Sequence, residues 1–436
     1  MTTLASVAVN PKSSVVDVAQ RARHRIATRL LPFLFILYVI AFLDRMNIGA
    51  AALQIPHDLG FSESVVGMGA GIFFFGYFLL EIPGALIAER WSARRWIARI
   101  MISWGAMTIL MAFIHTARQF YLVRFLVGAA EAGFMPGVIV YLTHWFRYED
   151  RAKAVAFFYA ANPLSYVIGS PLAGVLLGLS WLGMRGWRWL FILEGIPAIF
   201  FGCITIWYLT DWPSQARWLP DEEKEWITRE LQREKEAKSR SYSIWQAFCH
   251  RDVILLTLCY FGAMTGSYGI AFWLPTILKR LSGQSDFRVT LMAALPYVAA
   301  FVVQQLNGWH SDRTRERRWH AAVPVLICGS ALAFAVLYRG NLALSLGMFV
   351  VAGGSFYGFQ PVFWTVPTLF LSESAAAASI GLINAVGNLG GFAGPMVMGY
   401  LVNRTHTFSA GLLYLVASLF ASGILMLAVG RRRAAA

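Results

Sequence analysis

About twelve apolar runs of roughly 20 residues follow one another along this chain of 436 residues, and no other feature restricts its fold so severely. A run of that length crosses about 30 Å of hydrocarbon as an α-helix rising about 1.5 Å per residue. Inside hydrocarbon every backbone N–H and C=O needs a partner within the protein, so helices and closed barrels are the structures that span. Continuous runs this long read as helices. In the first half they cover Thr28–Ala52, Glu63–Ala88, Trp96–Ile114, Gln119–Phe146, Arg151–Leu179 and Trp187–Leu209. In the second half they cover Ile254–Leu278, Phe287–Gly308, His320–Tyr338, Asn341–Leu371, Ala375–Val402 and Phe408–Val429. With 58% hydrophobic and only 14% charged residues, a water-soluble domain is excluded. The fold class is an all-α membrane protein with twelve transmembrane helices.

A net charge of +14 would suggest nucleic acid in a soluble protein, but here the charge is segregated. Arg21, Arg23, Arg25 and Arg29 precede the first span, Arg90, Arg94, Arg95 and Arg99 follow the second, and Arg147, Arg151 and Lys153 follow the fourth. The linker between the first two spans has no Lys or Arg. The positive-inside rule then places both termini in the cytoplasm and makes lipid headgroups, not nucleic acid, the partner of the basic residues. The first 25 residues lack an apolar core with a small-residue cleavage site, so the first span is expected to be retained. Cys203, Cys249, Cys259 and Cys328 show no paired spacing and read as packing thiols.

The chain also repeats itself. Ala85-Leu86-Ile87-Ala88-Glu89-Arg90 has a counterpart in Gly308-Trp309-His310-Ser311-Asp312-Arg313, and the run around Pro171 has one around Pro395, both at an offset of roughly 220 residues. Two matches at one offset imply duplicated six-helix halves that run parallel about an axis along the membrane normal. The expected organisation is a cytoplasmic tail at 1–27, a six-helix bundle at 28–210, a cytoplasmic amphipathic linker at 211–246, a second six-helix bundle at 247–430 and a short tail at 431–436. The linker carries acid–base pairs about four apart and the apolar marks Trp226, Ile227 and Leu231.

Asp44, Arg45, Arg124 and Glu131 stand inside spans. An ionised side chain at mid-bilayer costs about 3 kcal/mol on insertion scales, so such groups normally face a protein interior or a water-filled path. Asp44 and Glu131 each lie about fifteen residues, or about 23 Å, from a basic edge at Arg29 or Arg147, at similar depth. Arg124 lies two turns from Glu131 on the same helix face, about 10 Å away. Two arginines with planar donor forks suit a carboxylate. Two buried acids whose occupancy responds to burial and to a neighbouring anion suit proton coupling. The alternative for the acids is an internal ion pair that only locks the first and fourth spans together. For Arg124 it is an interfacial anchor.

Larger motifs point to a family. Ala41-Phe42-Leu43-Asp44-Arg45-Met46-Asn47-Ile48, Arg124-Phe125-Leu126-Val127-Gly128-Ala129-Ala130-Glu131-Ala132-Gly133, Gly186-Trp187-Arg188-Trp189-Leu190-Phe191, Phe272-Trp273-Leu274-Pro275 and Gly387-Asn388-Leu389-Gly390-Gly391-Phe392 resemble the major facilitator superfamily, and within it the anion:cation symporter branch. Tartrate, phthalate, hydroxyphenylacetate and galactonate permeases belong to that branch. The first-half loop departs from the superfamily pattern, with Ala85 and Ser92 where glycines are usual and Glu89 in place of Asp.

The resemblance implies two pseudo-symmetric bundles and a secondary active transporter of a bacterial inner membrane. It would import a small organic acid anion (sugar acid, hydroxy acid or aromatic carboxylate) with protons by alternating access, as a monomer, with no cofactor and no metal. Proton-coupling roles fall to Asp44 and Glu131 and substrate binding to Arg45 and Arg124. Weaker substrate-binding candidates are the polar and aromatic residues at membrane depth: Tyr77, Asn162, Tyr268, Trp273, Gln360, Trp364, Asn384 and Asn388. Gating falls to Glu89, Arg90, Arg94, Asp312 and Arg313, whose opposite charges sit at helix ends where the halves meet. The sequence leaves open a Na⁺-coupled carrier, an exchanger or facilitator, and a non-transporting sensor of the same fold. An enzyme is disfavoured because the eight histidines fall near predicted helix ends and no nucleophile–base or metal cluster shares one depth. No Gly-rich phosphate loop opens a helix, so an ATP motor is absent too.

Overall fold

The computed structural model describes residues 11–237, 250–338, 340–367 and 373–430. The first half contains α1 (Pro11–Ala51), α2 (Ile55–Leu59), α3 (Glu63–Arg90), α4 (Ala93–Met111), α5 (Ala117–Glu131), α6 (Phe134–Trp145), α7 (Tyr148–Tyr159), α8 (Ala161–Leu177) and α9 (Gly186–Tyr208). A connecting helix α10 (Asp221–Ala237) follows. The second half contains α11 (Arg251–Ser282), α12 (Asp286–Thr314), α13 (Arg318–Leu337), α14 (Leu342–Phe363), α15 (Glu373–Asn388), α16 (Gly390–Thr405) and α17 (Phe408–Ala428). Cys249, the end of the linker and the last basic residues, Arg431, Arg432 and Arg433, lie outside the described residues.

Among the described residues eleven helical segments are long and apolar enough to cross a membrane. The remaining predicted span corresponds to α4, whose 19 residues include Arg94, Arg95 and Arg99. It packs along α9 within the first half. Three predicted spans are broken in the middle: the fourth between α5 and α6, the fifth between α7 and α8, and the eleventh between α15 and α16. Broken helices at membrane depth are tolerated where protein or a water-lined cavity satisfies the freed backbone.

Helix α1 begins well before the predicted span, at Pro11, so residues expected as a tail are helical. At about 1.5 Å per residue its 41 residues exceed the hydrocarbon thickness twofold. The projecting turns are held by α10. Arg25 reaches Glu223 at 3.1 Å, and Arg147 reaches Glu230 at 3.3 Å. The apolar marks of α10 face the first half: Ile227 is buried, and Trp226 lies under the Arg147 guanidinium at 5.4 Å. The connector is docked on the first bundle.

The halves meet through α3 against α16, α8 against α12, and α1 against α11. At the face away from the chain termini this seam is tight. A Cβ on Gly67 would stand 2.5 Å from the Pro395 carbonyl oxygen, and one on Gly399 would stand 2.6 Å from that of Glu63, so backbone meets backbone there. Gln54 donates to Asp286 at 2.9 Å, Lys279 pairs with Asp286 at 2.7 Å, and Arg280 pairs with Glu63 across the seam. Toward the termini face the seam thins, among the described residues, to two side-chain bonds, Tyr357 to Asn162 at 3.3 Å and Asn384 to Glu81 at 2.6 Å. Among the described residues no ion pair joins the halves beyond them.

Candidate functional site

Between the tight and thin parts of the seam lies a cavity of about 60 Å³, lined by Arg45, Phe73, Arg124, Tyr166, Tyr268 and Tyr297 among others. It holds a few waters at about 10–15 Å³ each. A pocket enclosing a solute typically needs about 300 Å³ or more, so admitting one requires the halves to part.

Glu131 ends α5, where Ala132 turns extended and Gly133 adopts φ 84°, a left-handed conformation suited to glycine. The break leaves the Glu131 carboxylate at the helix end, 1% exposed. Its Oε1 accepts from Arg45 Nε at 2.6 Å, and Arg45 Nη2 approaches the same oxygen at 2.6 Å. Its Oε2 is buried without a partner. The Arg45 guanidinium also lies over the rings of Phe42, Tyr77 and Phe73 at 5.2, 5.0 and 5.7 Å. The ion pair considered as a lock between the first and fourth spans therefore exists, between Glu131 and Arg45, and it borders the cavity rather than a sealed core.

Asp44 faces elsewhere. Adjacent residues on a helix point about 100° apart, so Asp44 and Arg45 take different hydrogen-bond partners. Asp44 turns to α4, where Trp104 Nε1 donates to Oδ2, Thr108 Oγ1 donates to the same oxygen at 2.7 Å, and Asn47 Nδ2 lies 3.4 Å from Oδ1. Neither Asp44 nor Glu131 lines the cavity, but Asp44 is near enough to act electrostatically on both Glu131 and Arg124.

Arg124 is 3% exposed. Its Nε donates to the Gly69 carbonyl at 3.2 Å, and its guanidinium lies 4.8 Å from the Phe73 ring centre. Phe73 is thus the ring shared by both arginines, a role its place in an apolar Phe73-Phe74-Phe75 run did not reveal. No carboxylate pairs directly with Arg124 among the described residues. This is a buried cation facing a cavity with its fork free, and not a side chain reaching for the interface.

Of the weaker candidates, Tyr268 lines the cavity against Phe74 at 4.4 Å, and Tyr77 lies beneath Arg45. Asn162 and Asn384 hold the two thin-seam bonds. Trp273 is turned away: it is 1% exposed and its N–H donates to the Pro395 carbonyl at 3.1 Å, which ties α11 to α16. Trp364 packs edge-on to Tyr260 at 4.8 Å, and Gln360 and Asn388 are half-buried. Among the described residues the gating candidates make no bond between halves. Asp312 pairs with Arg317 at 2.6 Å, Arg313 lies over Trp309 at 5.6 Å, and the Arg94 backbone N–H donates to Asp211 at 3.0 Å. Glu89 and Arg90 are exposed.

Two buried acids were missed. Glu81 of α3 is 4% exposed and Glu194 of α9 is 6% exposed, and both Glu194 oxygens lack a hydrogen-bond partner. Each stands alone in an apolar run, Leu80-Glu81-Ile82-Pro83 and Leu193-Glu194-Gly195-Ile196-Pro197. The depth rule that singled out Glu131 applies equally to both.

Two helical bundles around a charged central cavity, closed at one face, define a multi-pass membrane transporter. Known proteins agree. The Major Facilitator Superfamily model matches residues 34–395, and the chain belongs to that family. It is 43% identical over 417 residues to a putative tartrate transporter of Agrobacterium vitis, covering 95% of this chain and 96% of that one. It is 39% identical over 420 residues to the putative metabolite transport protein NicT of Pseudomonas putida, with 95% and 96% covered. These relatives are consistent with the anion:cation symporter branch. The fold matches a bacterial homologue of the human lysosomal transporter Spinster in an inward-facing conformation, with TM-score 0.74 at 20% identity over 93% of this chain and 96% of that one. It also matches the xylose transporter XylE of E. coli in a partially occluded inward-open conformation, with TM-score 0.74 at 14% identity over 93% and 98%.

Proposed function

We propose that the protein imports a small organic acid anion together with protons, the two halves exposing the central cavity alternately to either side of a bacterial inner membrane with both termini in the cytoplasm. The observation that carries this is Arg124, a buried guanidinium that no described carboxylate pairs with directly, beside a cavity also lined by Arg45, the partner of Glu131. A carboxylate placed there accepts the N–H groups of Arg124 that no described residue takes.

Coupling follows from the second arginine. While Glu131 is ionised, it occupies Arg45. Once Glu131 takes a proton, that pair weakens and Arg45 becomes available to a second anionic group, so proton and anion favour each other's binding. A hydroxy acid with two carboxylates fits two such arginines, which makes tartrate, the solute named for the Agrobacterium vitis relative, the first probe. The basic residues clustered at the termini face support the cytoplasmic assignment of that face. The tight seam at the opposite face and the thinner described seam at the termini face support a carrier closed outward.

The test is Glu131→Gln in proteoliposomes with labelled tartrate. Gln still accepts from Arg45 but cannot carry a proton. The variant is expected to exchange tartrate across the membrane yet fail to accumulate it under a pH gradient. Accumulation at the wild-type level would remove Glu131 from the coupling step.

A further inference from the structure

Glu81 sits on α3, on the termini side of the Glu131–Arg45 pair, and the transport scheme above does not use it. One of its oxygens accepts from Asn384 Nδ2 at 2.6 Å, one of the two side-chain bonds that close the thin part of the seam. The other, Oε2, is buried without a hydrogen-bond partner. No cation pairs with either oxygen among the described residues. The groups that face it are Tyr77 from its own helix, Arg45 from α1, Tyr159 from α7, Tyr260 and Tyr268 from α11, and Asn384 from α15. The one cation in this set, Arg45, is occupied by Glu131.

A carboxylate so placed is costly as an anion, because it is buried with no counter-charge and one oxygen lacks a donor. As a neutral acid it still accepts from Asn384 through its carbonyl oxygen, and its O–H becomes a donor where the anion had an orphan acceptor. When α3 and α15 separate, water reaches both oxygens and the anion is solvated. Tyr77, one turn back on α3 and beneath Arg45, stands between Glu81 and the central pair.

We propose that Glu81 is a further proton carrier, keeping its proton while the α3–α15 contact is closed and releasing it to water at the termini face when that contact opens. The step breaks the Glu81 O–H bond, passes the proton to water and leaves the carboxylate solvated. Proton release on that side is then tied to the opening movement itself.

The proposal rests on the proton-coupled reading above, and the experiment separates the two. Full-length wild type, Glu81→Gln and Asn384→Ala are reconstituted in proteoliposomes and assayed with tartrate for exchange and for accumulation under a pH gradient. Glu81→Gln preserves the acceptor for Asn384 and removes only the titrating group, whereas Asn384→Ala removes the bond and preserves the acid. The expected pattern is wild-type exchange with at least tenfold lower accumulation in Glu81→Gln, whereas in Asn384→Ala, which keeps the acid, accumulation and exchange change by the same factor. Undiminished accumulation in Glu81→Gln, or loss of exchange along with accumulation, overturns the role of Glu81 and leaves the general reading standing. Wild type that fails to accumulate tartrate, or any of the other organic acids tried, overturns both. Should Glu81→Gln not reach the membrane, wild type is treated with dicyclohexylcarbodiimide, which adds to protonated carboxyls in apolar surroundings. Modification of Glu81 that declines as pH rises is expected, and its absence from Glu81 while other buried acids are modified overturns the proposal.

Discussion

Arg124→Gln is the substitution that separates a ligand-binding arginine from a structural one. Among the described residues Arg124 has one hydrogen bond, to the Gly69 carbonyl, and one ring contact, to Phe73. Losing the bond costs about 1 kcal/mol and losing the ring contact about the same, so the bundle survives. A bound carboxylate is different: removing one member of a buried, hydrogen-bonded charge pair costs about 2–5 kcal/mol. At about 1.4 kcal/mol per tenfold, affinity should fall by roughly 30-fold to 3,000-fold. Arg124→Lys keeps the charge but presents a point donor in place of a fork, so a loss of roughly tenfold is expected, between the two. The assay is the KM for tartrate uptake in proteoliposomes alongside thermal stability without solute. A KM for Arg124→Gln within about threefold of wild type, with stability sharply reduced, would show that Arg124 serves the fold.

Other outcomes follow from the seam and the loops. Gly67→Val places side-chain carbons where the Pro395 carbonyl and Gly399 now stand, so it should wedge the outer seam open. Uptake should fall severely, while a cysteine introduced into the cavity becomes more reactive toward a membrane-impermeant thiol reagent from outside; unchanged labelling and uptake would contradict the tight seam. Glu316, between α12 and α13, is partly buried, which by itself raises its pKa. The backbone N–H groups of Trp319 and His320 and the His320 ring outweigh burial and hold the carboxyl below its usual value. A depressed folded-state value means that its contribution is full above the ordinary carboxylate range and is lost as pH falls through the folded value. The stability lost on Glu316→Ala, read from thermal unfolding in detergent, should accordingly be largest at neutral pH and shrink toward acid, where a pH-independent loss would contradict the capping role.

The spans were legible because bilayer thickness sets their length and the cost of unpaired backbone sets their secondary structure. The central charges were legible because nothing cheaper explains Asp44, Arg45, Arg124 and Glu131 inside apolar runs. Partnerships were not. Which of Asp44 and Arg45 meets Glu131 depends on the rotation of α1, and the free fork of Arg124 depends on how closely α3 approaches α5. The breaks at Gly133 and Ala160 were also hidden, since both lie inside continuous apolar runs and only Gly133 carries a positive φ. Glu81 and Glu194 carried the same signal as Glu131 but no neighbouring arginine drew attention to them. For Trp273 the sequence shows an aromatic residue at membrane depth but not that its N–H donates to the Pro395 carbonyl.

The most direct test is to record tartrate and proton movement together in proteoliposomes that contain wild-type protein and a trapped pH dye. With tartrate outside and no imposed pH gradient, tartrate entry should acidify the lumen, and an inward proton gradient should drive tartrate above its external concentration. Tartrate, or whichever organic acid binds, entering without lumenal acidification and stopping at equal concentrations would contradict proton coupling and leave the four buried charges without the role given to them.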